Sequence, residues 1–514
     1  MSTKHRRAGQ EIRTSRQAHR AARPPAARAV GPAALAVALS APVFGCGDGR
    51  GHPPDAEEMQ QSIETLVGFG VRMPGTDASV QAAEYVHDGF VAAGLTDVAI
   101  EETDTVVWSA NDWGLTVEGE EVPCYFMQHT FHQQEPTSFS TGSGGLEAEI
   151  VYVGDGAASD FAGLDVEGKI VLSDVRFHRF DIGLVETFAL DIHDPEGTID
   201  EDFEYIDPYS RRTFPFNYYN AMERGAVGFI GILTDYLDRH EYHNEGYSSY
   251  REGGAMEIPG LWVSPSVGAA LAQRIEETED PVMANMVLEG QLETAVGRSV
   301  IGYVRGKTDE IVMVQSHHDS NTAGAVEDAS GTALVMALAK HYGSLPDGER
   351  ERTLLFTTMD THFTDYASHF AFVERHVEQE DILANLTLEH IGREVEETAD
   401  GLVPTDNPVI KGLFVTTEVP GLSDVALDAF VEHDVARTIG LPANNPVIGL
   451  PTDASHFHGE GVPVVNLVGA PIYLYDSADT LDKVAVDQLE PVAGASMQIL
   501  DGLDTMPRED LEEW

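Results

Sequence analysis

Residues 311–332, IVMVQSHHDSNTAGAVEDASGT, constrain this chain more than any other stretch. Residues 311–314 are a short apolar run of the kind that makes a buried strand. The run leads into Ser316-His317-His318-Asp319-Ser320, so polar ligand-type side chains collect where the strand stops. A Gly-containing loop follows, and residues 324–331 open a helix predicted to run from about 332 to 342. In an open α/β sheet, ligands gather at the carboxyl ends of strands and the amino ends of the following helices. An imidazole and two acids delivered there by one strand–loop–helix unit make half of a metal site.

A chain of 514 residues is long enough for two or three domains with a full-sized core. Its formal charge is −55, and the charge is unevenly spread. The first fifty residues hold nine Lys and Arg against two acids, leaving about −62 for the remainder. Such an acid excess repels phosphate and argues against nucleic acid as a partner. It reads as a heavily solvated surface, a matter of solubility more than of substrate choice. After the Arg-rich opening, residues 29–45 are too short for a comfortable membrane span and right for the apolar part of a secretion signal. Cys46 comes next, and Val43-Phe44-Gly45-Cys46 resembles a bacterial lipoprotein processing site with a bulky Phe44. Lipidation of Cys46 and plain cleavage nearby both stay open. The expectation is a leader over 1–46, a tether over 47–56, and a secreted, periplasmic or envelope-anchored bacterial protein. Any membrane contact would run through a lipid on Cys46. Only Cys124 remains elsewhere, which argues against an internal disulfide in the mature chain.

Residues 56–95 read as two helices, and 98–107 as a strand. From 108 to 297 the texture changes to short β segments, turns and aromatics. Residues 150–154, 168–172, 221–230 and 258–264 resemble the protease-associated domain, with an acidic, aromatic insertion over about 176–216. From 300 the pattern becomes regular α/β. Strands are predicted near 311–316, 353–359, 383–390, 409–416 and 462–468, and helices near 329–343, 364–379 and 484–500. An acidic tail over 506–514 reads as frayed.

The order of these elements, with their ligand-type residues, resembles the co-catalytic zinc exopeptidase family, which includes bacterial aminopeptidases, glutamate carboxypeptidases and glutaminyl cyclases. The resemblance covers 57–105 and 298–503. It implies a three-layer α/β/α fold with a mixed central sheet, split by the β-rich inserted module, with peptidase parts at 57–107 and 298–505. It also implies zinc, as one ion or two, and peptide substrates. His317 falls on a metal-ligand position and Asp319 on that of the carboxylate orienting it. Glu327 stands where the family has an Asp bridging two metals, followed by Asp328-Ala329-Ser330-Gly331, so either Glu327 or Asp328 is placed to bind. After the next strand, His362 falls on a ligand position. Thr361 falls where the family carries the general-base Glu, and a hydroxyl cannot take a proton from water. Asp360 is one residue away, with its side chain expected to point elsewhere if the strand continues; Asp360, Asp453 and His456 are the remaining candidates for a base.

Glu389 occupies the ligand position at the end of the following strand, in Leu388-Glu389-His390-Ile391-Gly392. Counting back from Asp479-Thr480 puts Tyr475 on the last ligand position, usually His, with Asp476 beside it. The implied sets are His317, Glu327 and Glu389 for one ion, and Glu327, His362 and Asp476 or Tyr475 for the other. Competing signals are weak: His240-Glu241-Tyr242-His243 is one residue short of a zinc-binding His-Glu-x-x-His helix, and no Gly-x-Ser-x-Gly elbow occurs. The expectation is a metal-dependent exopeptidase, most simply an aminopeptidase. Its rivals are a peptidase-like binding protein without catalysis and a single-zinc acyltransferase of the glutaminyl-cyclase kind.

Overall fold

The computed structural model describes residues 52–132, 138–200, 204–244, 255–346, 348–399, 401–445, 448–512 and 514. The leader, the tether up to residue 51 and Cys46 lie outside the described residues. Residues 52–514 form one compact unit.

The centre of the unit is a mixed sheet in which sixteen strands join among the described residues. Its peptidase-like part is built from β9 (Met283–Val304), β10 (Ile311–His317), β11 (Thr353–Met359), β12 (Ile382–Glu389), β13 (Lys411–Val415), β14 (Thr438–Pro442) and β15 (Val464–Gly469). Their order is β9-β11-β10-β12-β15-β13-β14. β11, β10, β12 and β15 run parallel, β9 is antiparallel to β11, and β13 is antiparallel to β15 but parallel to β14. All seven residues of β10 are buried, as are all seven of β11. A strand alternates its side chains between faces, so an unbroken apolar run needs cover on both. Val312, Val314, Leu354 and Phe356 enter one core, while Ile311, Met313, Leu355 and Met359 enter another with Phe372, Phe457 and Val462. Helices α1 (Ala56–Phe69), α2 (Asp77–Ala92), α4 (Ser330–Gly343) and α5 (Val486–Thr505) pack together over the first face. The mixed sheet and its buried layers agree with the predicted class.

The sheet also continues into the β-rich region. β1 (Thr96–Val117) pairs antiparallel with β9 along almost its whole length, from Thr96 opposite Tyr303 to Val117 opposite Ala284. Beyond β9 follow β2 (Leu146–Tyr152), β3 (Ile170–Asp174), β7 (Gly228–Ile232) and β8 (Gly260–Val263), parallel to one another and flanked by α3 (Pro265–Glu277). The expected boundaries at 107/108 and 297/298 therefore fall inside two continuous 22-residue strands. The insertion forms a hairpin of β4 (Phe177–Asp181) and β6 (Glu204–Arg211), with β5 (Asp191–His193) between them in sequence. β5 does not join β2, β3, β7 or β8. It pairs antiparallel with β14 at the far edge of the peptidase-like sheet.

Two local readings change. The helix predicted over 364–379 is broken into Ala367–Phe372 and a wide turn over Val373–Val377. The acidic end is not frayed: Arg508–Glu512 is helical, Leu511 is 1% exposed, and Arg508 is paired with Asp381 and Glu310.

Candidate metal centre

His317 is the last residue of β10, and the loop after it is fixed from three sides. Arg72, fully buried, donates to the carbonyl oxygens of His318 (2.8 Å), Ala323 (2.5 Å) and Gly324 (2.9 Å). Asp479 accepts from the backbone N–H groups of Val326 and Glu327, each at 2.9 Å. Asp328 accepts from the Ser316 hydroxyl (2.5 Å), the Gly331 N–H (2.9 Å) and the His390 N–H (3.1 Å). Gly331 is required there, because a Cβ would stand 2.2 Å from the Leu388 carbonyl oxygen and 2.4 Å from Asp328 Oδ2. Asp328 is thus tied to the loop, while neither carboxylate oxygen of Glu327, which is 1% exposed, has a partner in hydrogen-bond geometry.

Imidazoles converge on that carboxylate. His317 Nε2 lies 3.4 Å from Glu327 Oε1 and His390 Nε2 lies 2.7 Å from Glu327 Oε2, neither with hydrogen-bond geometry. His362 stacks on His317 with ring centroids 4.3 Å apart. Each ring is anchored through Nδ1: His317 on Asp319 (3.1 Å), His362 on Asp453 (2.9 Å), and His390 on the Gly469 carbonyl oxygen (2.9 Å). Anchoring Nδ1 fixes the tautomer that presents Nε2 as a donor, a recurrent arrangement around metal-ligating histidines. Buried polar atoms left without partners are costly, and here they cluster at one point.

Donor atoms of His317, Glu327 and His362 lie within 4.8 Å of one another, and so do those of His317, Asp328 and His390. Imidazole nitrogens with carboxylate oxygens form a donor chemistry that suits zinc. The field in the cluster is strong. Burial and His362 oppose charging of His317, but Asp319 and Glu327 outweigh them and raise its pKa to about 9. Burial likewise opposes charging of His390, and Glu327 overcomes it, raising the value to about 10. Burial, then Asp453, pushes Glu389 up to about 8.

The other sequence candidates are placed as follows. Glu389 ends β12, is 2% exposed, and leaves Oε1 unpaired, but belongs to neither set of mutually close donors. The strand stops at Met359, and Asp360 accepts from the Arg298 N–H (2.5 Å), Ser368 (3.2 Å) and Ser79 (3.3 Å). The Thr361 hydroxyl accepts the Ser368 N–H at 2.8 Å. Asp476 is held by Arg239 through two bonds of 2.5 and 2.7 Å and is in neither donor set. Tyr475 is buried among Phe363, Tyr209 and Tyr242. Asp453 is shared between His362 and His369, at 2.9 and 2.8 Å.

His390, Arg72 and the bond network of Asp479 were not picked out from the sequence. His390 directly follows Glu389, and strict alternation would send it to the opposite face. The strand stops at Glu389, however, and His390 takes a positive φ of 60°, which turns it into the cluster. A further feature lies beside it: an apolar cavity of about 80 Å³ between the insertion and β13–β15, whose walls include Phe180, Tyr205, Tyr209, Phe414 and Leu441.

Buried imidazoles and acids thus gather at the ends of the parallel strands of a mixed α/β sheet. Residues 299–499 match the model of Peptidase family M28. Two curated relatives are both described as "Glutamate carboxypeptidase 2 homolog". The one from Caenorhabditis elegans is 24% identical over 46% of this chain and 36% of its own length. The one from Caenorhabditis briggsae is 22% identical over 63% and 48%. The chain thus spans between a third and a half of these relatives. Among solved structures, the aminopeptidase from Aneurinibacillus sp. strain AM-1 superposes with a TM-score of 0.59 at 20% identity, covering 87% of this chain and 93% of that one. BSAP, a zinc aminopeptidase from Bacillus subtilis, gives 0.60 at 18%, covering 90% and 98%. A peptidase M28 precursor from Shewanella amazonensis SB2B gives 0.62 at 20%, covering 87% and 96%. At these identities the likeness establishes the fold.

Proposed function

We propose that this protein is a zinc-dependent exopeptidase, an aminopeptidase acting on peptides, exported or tethered to a cell envelope through Cys46, with residues 108–297 as a protease-associated module. One observation carries the reading: the buried Nε2 atoms of His317 and His390 converge on the Glu327 carboxylate, at 3.4 and 2.7 Å, while their Nδ1 atoms are anchored elsewhere. His317, Glu327 and His362, or His317, Asp328 and His390, would hold the ion, with Glu389 at the end of the neighbouring strand. Zinc bound there supplies Lewis acidity, polarising a carbonyl and acidifying water. Asp319 and Asp453 keep the protons of His317 and His362 on Nδ1, and Arg72 and Asp479 keep Glu327 at the centre. Among the described residues no helix is long and apolar enough to cross a membrane.

A second reading is favoured by a specific pair of observations. Thr361 stands on the usual base position with its hydroxyl occupied, and Asp476 is neutralised by Arg239. Both suit a peptidase-like protein that binds peptides and turns them over slowly or not at all. Metal content of the purified protein, measured together with hydrolysis of aminoacyl chromogenic substrates with and without chelator, separates the two. Bound zinc with chelator-sensitive turnover supports the exopeptidase. Bound zinc without turnover supports the impaired protein, and no affinity for zinc refutes both assignments of the cluster.

A further inference from the structure

We infer that Tyr209 is a positioning residue of the metal centre, and that the insertion carrying it is a working part of the site. This rests on the reading of His390 as a donor. Tyr209 lies in β6, outside the residues that match the family. Its hydroxyl oxygen is 2.7 Å from His390 Nδ1 and 3.1 Å from the Gly469 carbonyl oxygen, which is itself 2.9 Å from His390 Nδ1.

The three atoms settle where the protons sit. A carbonyl oxygen only accepts, so the imidazole offers it an N–H from Nδ1, and the phenol donates its own hydrogen to the same carbonyl. The phenol oxygen then accepts from Nδ1–H on its lone-pair side. In the neutral form that a metal ligand requires, the ring therefore carries its proton on Nδ1 and leaves the Nε2 lone pair toward Glu327. One carbonyl alone would permit the ring to swing about its Cβ–Cγ bond. The tyrosine closes that freedom, because its hydroxyl and ring stand on the path.

Tyr209 is itself rigid. It is 8% exposed, donates its N–H to Asp207 (2.9 Å) and packs edge-on against Tyr475. Tyr205, four residues earlier, donates to the carbonyl oxygen of Ala470 at 2.5 Å, and β5 pairs with β14. The insertion thus grips the end of β15 at two consecutive carbonyls and the sheet edge beyond it. A segment added only for bulk or solubility needs no hydroxyl aimed at a buried imidazole.

Zinc affinity, measured by competition with a chromophoric chelator, tests this in the full chain. Tyr209→Phe removes one oxygen and keeps the ring, so the metal-free variant should unfold at the native temperature. Its zinc affinity should fall about ten- to a hundredfold, the range for removing a partner behind a histidine ligand. Tyr205→Phe, which loses a bond to the same strand end but touches no donor, should bind zinc as the native protein does. Affinity within twofold of native in Tyr209→Phe, with His317→Ala having lost zinc, overturns the inference and leaves the metal centre standing. Equal losses in Tyr209→Phe and Tyr205→Phe also overturn it, since they would report general loosening of the insertion. A native protein without zinc affinity overturns the centre itself.

Discussion

Replacing Arg72 by Met tests how the fold and the cluster are joined. The guanidinium is fully buried and makes three bonds of 2.9 Å or less to carbonyls of the loop that carries Glu327. Hydrogen bonds from a charged donor are worth about 1.5–3 kcal/mol each, and they do not add when they share one group. Met fills most of the volume but leaves those carbonyls without a donor. It also removes a cation that faces Asp479, Asp319, Asp328 and Glu327, the acids whose attraction partly offsets the burial that lowers the Arg72 pKa to about 10. Removing one partner of a buried charged network costs about 3–5 kcal/mol. That is a large share of the roughly 5–15 kcal/mol that holds a typical protein folded. Urea denaturation of metal-free Arg72→Met should show a loss of this size. Zinc at a hundred times its dissociation constant should restore about 2.7 kcal/mol, because the ion binds only the folded state. A loss below about 1 kcal/mol in metal-free protein would refute the claim that this side chain fixes the loop.

Other outcomes follow from the same contacts. His317→Ala should abolish zinc binding and any chelator-sensitive turnover together; retained turnover would remove His317 from the site. Asp453→Asn should weaken zinc binding by about ten- to a hundredfold in calorimetric titration, because it loosens the His362 anchor; unchanged affinity would make Asp453 irrelevant to the cluster. Asp476→Ala should leave zinc content as it is, since Arg239 already holds that carboxylate; loss of zinc would return Asp476 to the donor set. Away from the site, His376 is raised to about 9, with Glu101 and Glu380 outweighing burial, and the pKa values of both acids are lowered. A raised imidazole stabilises fully below its unfolded value near 6.5 and loses that contribution as pH climbs toward 9. The difference in melting temperature between native protein and His376→Gln should therefore shrink from pH 6.5 to 9; a constant difference would contradict the assignment.

Much of this was legible in the sequence because buried parallel strands write themselves as unbroken apolar runs. β10, β11 and β12 fall within one or two residues of their expected places, with His317 and Glu389 at strand ends. How Glu327 and Asp328 divide their roles was not legible, since it depends on which hydrogen bonds the folded loop gives each carboxylate. His390 was hidden by the two-residue period, which its positive φ breaks. Arg72 lies 246 residues before the carbonyl it holds at 2.8 Å, and Tyr209 lies 181 residues before the imidazole it touches. Pairings at such distances leave no local pattern. The insertion was read as an appendage of the β-rich region because composition tells what a segment is made of, not which edge it joins.

The most direct test is an anomalous difference map at the zinc absorption edge from crystals of the zinc-loaded protein. The account predicts a peak at coordinating distance from Glu327 and from the Nε2 atoms of His317 and His390. A map without a peak there, or with its only peak elsewhere on the protein, would contradict it.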